Sequence, residues 1–242
     1  LRYFKELKPT REYSDGLSLD NERLPVIKSW EDPILHSCQK NFIIGMNDAF
    51  TWLDKRLPGT YFTNSTSGSA TLNNNDWGEP SDPDRDINVT TLTDRIGSLE
   101  NISTRSCVNG TRSLGKCLNS GRHTSFYIAG LAHYANSQDI RSDLDGKQTI
   151  STFMIDSQEY SGSPPKGKNN MLWLAGKYGG YLDLDGDGTP KNSDGTNREW
   201  DEDGDGEVDA MENYRAKMNE LTAETTELSK QRKQLDTQIA KN

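Results

Sequence analysis

The sequence predicts an α/β fold built on a mostly parallel sheet, and three stretches carry that expectation. Residues 41–50, NFIIGMNDAF, hold three consecutive apolar side chains, Phe42, Ile43 and Ile44, which suits a strand buried on both faces. Residues 125–136, SFYIAGLAHYAN, put Phe126, Ile128, Ala129, Leu131, Ala132 and Ala135 on one broad helical face, with Ser125 placed to cap it. TISTFMID, residues 149–156, then alternates and ends in Asp156 as a strand does. Strands separated by helices need crossover connections, and these favour a parallel sheet covered on both faces.

The remaining elements follow in order. LRYFKELK reads as a helical start, followed to residue 34 by an irregular stretch broken by Pro9, Pro25 and Pro33. Residues 60–124 are rich in Ser, Thr, Asn, Gly and Asp and read as a long polar insertion holding one short helix near 91–100. NNMLWLAGKYGG is a second short helix, stopped by Gly179 and Gly180, and YLDLD is the last strand candidate. From Met211 the pattern changes: Met211, Tyr214, Met218, Leu221, Thr225, Leu228, Arg232, Leu235 and Ile239 recur with 3,4 spacing, a heptad seam. Either a long amphipathic helix packed on its own domain or a coiled coil satisfies that seam. The expected organisation is a globular α/β unit over 1–182, an acidic segment over 183–212 and a heptad helix over 213–242.

Composition narrows the function. Only 31% of the 242 residues are hydrophobic and the net charge is −9, so the chain carries a modest core and makes a poor nucleic-acid binder. No apolar run is long enough to cross a membrane. His36, His123 and His133 are far apart and lack metal-site spacing, and no nucleophile elbow, P-loop or dinucleotide-binding turn is present, so no enzyme activity is expected. Beginning at Leu1 without a leader, the chain is expected to be a processed or excised piece. Of three cysteines, Cys107 and Cys117 flank a turn-rich stretch and can close a short disulfide loop, while Cys38 reads as a buried thiol. The four Asn-x-Ser/Thr sequons, at Asn64, Asn88, Asn101 and Asn109, fit the composition of the insertion better than glycosylation.

Charge is concentrated between Asp183 and Glu212, where twelve carboxylates face only Lys191 and Arg198, a local net of −10. Such a block repels itself unless cations neutralise it. DEDGDGEVDAME, residues 201–212, fills every slot of a calcium loop. Asp201, Asp203, Asp205, the Glu207 carbonyl, Asp209 and Glu212 stand at positions 1, 3, 5, 7, 9 and 12, with Gly206 in the turn. DLDGDGTPKNSD, residues 183–194, offers Asp183, Asp185, Asp187, the Thr189 carbonyl and Asp194, but carries Pro190 and Lys191 at positions 8 and 9. No helix enters either loop, so these are not paired EF-hands. They look more like the calcium loops of dockerins or thrombospondin type 3 repeats, and Ca2+ is the expected cofactor.

Three segments taken together carry a family resemblance. SCQKNFIIGMNDAFTWLDKRLPGT (37–60), FYIAGLAHYANSQDIRSDLDGKQTISTFMIDSQE (126–159) and NNMLWLAGKYGGYLDLDGDGTP (169–190), about 80 residues in all, resemble the von Willebrand factor A-like region of the PilY family of type IV pilus tip adhesins and biogenesis proteins. The resemblance implies a partial von Willebrand factor A-like (Rossmann-like) domain. It also implies a secreted protein at the bacterial cell surface, on the pilus tip, or in the periplasm. Minor pilins or other tip proteins are its implied partners in pilus assembly, and a host or abiotic surface its implied adhesion ligand. In that fold an adhesion-site metal uses an Asp after the fourth strand, a position Asp48 matches. The companion DxSxS run is absent from this chain. Either a first strand precedes Leu1 or that site is not functional. An alternative role is structural assembly, in which calcium orders the acidic segment and the heptad helix docks a pilin-like or coiled-coil partner.

Overall fold

Two runs with high strand propensity, NFIIGMN and ISTFMID, lie side by side as strands β1 (Asn41–Asn47) and β2 (Ile150–Asp156). They pair in parallel, in register from Asn41 opposite Ile150 to Asn47 opposite Asp156. The computed structural model describes residues 1–10, 29–49, 51, 54–63, 78–102, 113–118, 124–157, 170–191, 195–196, 199–201 and 226–233. Between the strands come helix α1 (Val89–Leu99), a 3-10 turn (Leu114–Lys116) and helix α2 (Tyr127–Ser137), and after them helix α3 (Met171–Gly180). The mixed α/β character and the parallel pairing agree with the sequence.

One face of the sheet is packed. Helix α3 lies on β2 and on α2, and α2 lies on α1. The closeness of α3 depends on Gly179, where a Cβ atom would stand 2.7 Å from Thr152 Cβ and 2.8 Å from Ala132 Cβ. The helix ends at Gly180, as the Gly179–Gly180 pair in the sequence implies, and at Gly179 the missing side chain also lets helix and strand meet. Replacing Gly179 with valine is expected to cost about 1–3 kcal/mol through overpacking, read as a lower urea midpoint at unchanged m-value. An unchanged midpoint would contradict this packing.

The other face differs from expectation. β1 alternates: Ile44 and Met46 are 67% and 72% exposed, and Phe42 and Ile155 are also exposed, while Phe153 on the same face is buried, so among the described residues this face is covered only in part. Consecutive apolar residues thus serve two different surfaces here, and an apolar run alone does not tell which. YLDLD is not a strand but part of a chain of bends. Its Leu182 N–H goes to the Glu199 backbone oxygen and its Leu184 and Asp185 N–H groups to the Glu199 carboxylate. The N-terminal stretch forms a single turn, with Lys5 N–H bonded to Leu1 O at 3.1 Å, and stops where Glu6 takes a φ of 56°. Helix α2 begins one residue later than Ser125 capping implies; the Ser125 hydroxyl accepts from Tyr127 N–H at 3.3 Å, and its own N–H donates to Asp54 at 2.8 Å.

The polar insertion is anchored rather than loose at its described ends. Asn88, one of the sequon residues, caps α1 by accepting from Thr91 N–H, and Lys5 Nζ reaches Asp84 at 2.7 Å. Arg141, buried before β2, forks onto Asp32 at 2.7 and 2.9 Å and onto Asp143 at 2.8 Å, tying the segment ahead of β1 to the loop ahead of β2. The guanidinium holds both carboxyls below the ordinary range. Cys117 is buried and disulfide-bonded, whereas Cys38, expected to be buried, is exposed and free because it sits in the turn before β1. Cys107 lies outside the described residues. In the tail, residues 226–233 are helical with every side chain exposed, Leu228 at 64%. The seam residues Met211, Tyr214, Met218, Leu221, Thr225, Leu235 and Ile239 lie outside the described residues.

Candidate metal centre

Helix α3 delivers the chain to the acidic segment at a fixed point. Asn170 caps its start by accepting from Leu172 and Trp173 N–H, and Asn136 Nδ2 donates to Tyr181 O at 2.9 Å just past its end. His133, buried in α2, lies parallel to the Tyr181 ring at a centroid distance of 6.3 Å and meets Gly188 O at 2.8 Å through Nε2. Burial pushes its imidazole below the ordinary range, so the neutral ring donates its Nε2 proton to that carbonyl. The helix thereby holds the far side of the loop.

Two glycines let the loop curl. Gly186 and Gly188 have φ of 78° and 72°, a left-handed region that side chains disfavour. Each preceding aspartate bonds the backbone ahead of it: Asp185 Oδ1 accepts from Asp187 N–H at 3.1 Å, and Asp187 Oδ1 from Thr189 N–H at 2.7 Å. Asp183 Oδ1 accepts from Gly188 N–H at 3.3 Å. These turns bend the chain directly after YLDLD, whose own N–H groups go to Glu199, so it does not pair as a strand.

Glu199 closes the loop from the other side. Its backbone oxygen accepts from Leu182 N–H at 2.9 Å, and its Oε1 accepts from Leu184 N–H at 2.7 Å and Asp185 N–H at 3.2 Å. The residue is 2% exposed, and its Oε2 is buried without a hydrogen-bond partner. Oxygens of Asp183, Asp185, Asp187 and Glu199 all lie within 4.8 Å of one another. Burial raises the Glu199 carboxyl above its ordinary range, and the charges on Asp185 and Asp183 push the same way. This all-oxygen group could hold a hard cation.

The next residue, Trp200, is buried against α3. Its ring meets Trp173 edge-on at 5.7 Å and lies 4.2 Å from Lys177 Nζ. Lys177 in turn donates to Glu100 at 2.6 Å, and Tyr178 OH donates to the same carboxylate oxygen at 2.8 Å. Any change at Glu199 therefore bears on the packing of α3 against the end of α1.

Of the residues singled out from sequence, Asp183, Asp185 and Asp187 are brought together, with Thr189 beside them in the same loop. Asp194 lies outside the described residues, as do Asp203, Asp205, Glu207, Asp209 and Glu212. Asp201 is described, directly after Trp200. Asp48 follows β1, and its N–H is held by Asn47 Oδ1 at 3.0 Å; among the described residues it joins no group of three metal-ligating side chains. Glu199 was missed because a twelve-residue loop template ends at Asp194. No local spacing ties it to the three aspartates.

Comparison with known proteins gives one informative result. No family model matches the chain, and no solved structure matches it. The type IV pilus biogenesis factor PilY1 homolog of Xylella fastidiosa is 34% identical over 195 residues, which is 74% of this chain and 15% of the relative. The chain thus spans about 15% of the length of that relative. Among the described residues no helix is long and apolar enough to cross a membrane. The aligned 195 residues exceed any one of the elements above, so the likeness reaches across the fold, and the chain belongs to the PilY1 family.

Proposed function

We propose that this chain is a calcium-binding, non-enzymatic part of a type IV pilus biogenesis factor, acting at the pilus tip in pilus assembly and surface adhesion. The observation that carries the reading is the 34% identity to a protein named for pilus biogenesis. Minor pilins or other tip proteins are its partners, and a host or abiotic surface its ligand, from the cell surface or the periplasm. The parallel strand pair with helices on one face supports a partial von Willebrand factor A-like domain over 1–182. Asp48 stands just past the carboxyl end of β1, the end at which open α/β sheets bind ligands. Calcium is bound within the acidic segment 183–212, whose net charge of −10 calls for it. A strain lacking the protein is expected to lose surface pili and attachment. Wild-type protein should restore both, and protein carrying Asp183→Asn, Asp185→Asn and Asp187→Asn neither. Normal piliation without the protein overturns the pilus reading, and full rescue by the triple variant overturns its calcium part.

A second reading, in which the segment is a structural assembly module, is favoured by Leu228, a seam residue that is 64% exposed on a helix. On that reading the tail docks a helical partner. Replacing Leu221 and Leu228 by Asp should abolish association in sedimentation or pull-down and leave the α/β core folded. Unchanged association, or loss of the core, contradicts it.

The secreted setting also supports a Cys107–Cys117 disulfide. Peptide mapping without reductant should recover the two joined and Cys38 alkylated; two alkylated thiols at 107 and 117 from natively secreted protein would refute the pairing.

A further inference from the structure

We infer that the bends after α3 form a single calcium site whose closing ligand is Glu199, with Asp183, Asp185 and Asp187 as the other carboxylates, in place of a twelve-residue loop closed by Asp194. The inference rests on the calcium part of the proposed function and specifies it. Three observations converge. The four carboxylates place oxygens within 4.8 Å of one another. Oxygens this close can share one ion at calcium–oxygen distances of about 2.4 Å, and a cage built of protein carboxylates suits calcium better than magnesium, which keeps several of its waters. No sulfur or imidazole takes part, so a softer metal is disfavoured.

The second observation is Glu199 itself. A carboxylate that is 2% exposed and leaves Oε2 without a partner is costly to bury, and a cation bound to that oxygen removes the cost. The third is its orientation. Leu184 and Asp185 N–H hold Oε1, and Leu182 N–H holds the backbone, so the carboxylate faces the three aspartates before any ion arrives. Among the described residues Arg95 stands near the loop, its Nη2 3.7 Å from where a Cβ on Gly188 would lie. One guanidinium does not neutralise four carboxylates.

One peptide bond joins Glu199 to Trp200, which is seated over Lys177 and Trp173. Calcium that fixes Glu199 therefore fixes that seat, and it sets where the second acidic run begins, at Asp201. The ion acts as a clamp between the acidic segment and helix α3.

The test is calorimetric titration of the full 242-residue chain with calcium chloride, and separately with magnesium chloride, while tryptophan fluorescence is followed. Four variants are compared: Glu199→Gln, Asp185→Asn, Asp194→Asn, and a triple Asp201→Asn, Asp203→Asn, Asp205→Asn. Glu199→Gln and Asp185→Asn should each weaken one calcium equivalent at least tenfold and lose its fluorescence change; Asp194→Asn should titrate as wild type. Glu199→Gln in chelator should melt at or above the wild-type temperature, because a buried repelled charge is gone, and this separates a ligand from a merely structural residue. Asp185 is exposed, so its variant keeps the test valid if Glu199→Gln fails to fold. Wild-type titration by Glu199→Gln, or loss of the same equivalent in Asp194→Asn, overturns the assignment. Equal affinity for magnesium overturns the choice of ion. If only the triple variant loses calcium, this site falls and the calcium reading stands; if the wild type takes none, both fall.

Discussion

Replacing Glu100 with alanine is expected to destabilise the fold by about 3–5 kcal/mol, a large share of a domain's total stability. Glu100 ends α1 and is buried, as is Lys177 of α3, and their 2.6 Å contact joins the two helices. The same carboxylate oxygen accepts a hydrogen bond from the Tyr178 hydroxyl. Removing the carboxylate strips the buried ammonium of its nearest counter-charge and the phenol of its acceptor, and neither group can return to water without opening the α1–α3 contact. The rings of Trp173 and Trp200, at 5.2 and 4.2 Å from Lys177 Nζ, replace only part of that loss. The double variant Glu100→Ala, Lys177→Met should recover most of the stability, since a buried pair is replaceable by apolar groups more cheaply than it is broken. Urea unfolding measures both. A loss below about 1 kcal/mol for the single variant would contradict the account of this pair.

Chelating calcium is expected to have the second large effect. An ion that binds only the folded loop stabilises it by about 2.7 kcal/mol at a hundredfold excess over its dissociation constant, and about 4.1 at a thousandfold. For a domain of this size that corresponds to a melting shift of roughly 5–16 °C. Twelve carboxylates between Asp183 and Glu212 make the chelated form worse than a neutral loop would be, because they repel one another when no cation stands between them. High salt should narrow the gap by screening the exposed members, without closing it, since Glu199 is buried. Melting with calcium and with chelator decides; an unchanged midpoint sinks the idea.

What was legible in the sequence tracks what is local. β2, α2 and α3 announce themselves because period and capping residues lie within one element, as Asn170 does before α3. α1 was legible only as a short helix near 91–100; its cap, Asn88, stood in the sequence as a sequon residue. β1 was found but its surroundings were not, since Phe42, Ile43 and Ile44 say nothing of which neighbours cover them. The error at YLDLD has a different origin: Leu182 and Leu184 alternate as in a strand, but Glu199 takes the N–H groups of Leu184 and Asp185 and the glycines then turn the chain. The aspartates of the candidate metal centre were readable from their spacing. Glu199 was not, because its part depends on a return of the chain sixteen residues after Asp183, held by Leu182 N–H, and no local pattern encodes that return.

The central claim is that calcium orders the acidic segment against a core that is already folded. Amide hydrogen exchange on the full chain, with calcium and with chelator, tests it residue by residue. The account predicts that protection at Leu184, Asp185, Gly188 and Thr189, and at Glu199–Asp201, rises at least tenfold with calcium, while the amides of α1, α2 and β2 hold their values. Equal protection of the 183–201 segment in both conditions, or a uniform change across the whole core, would contradict it.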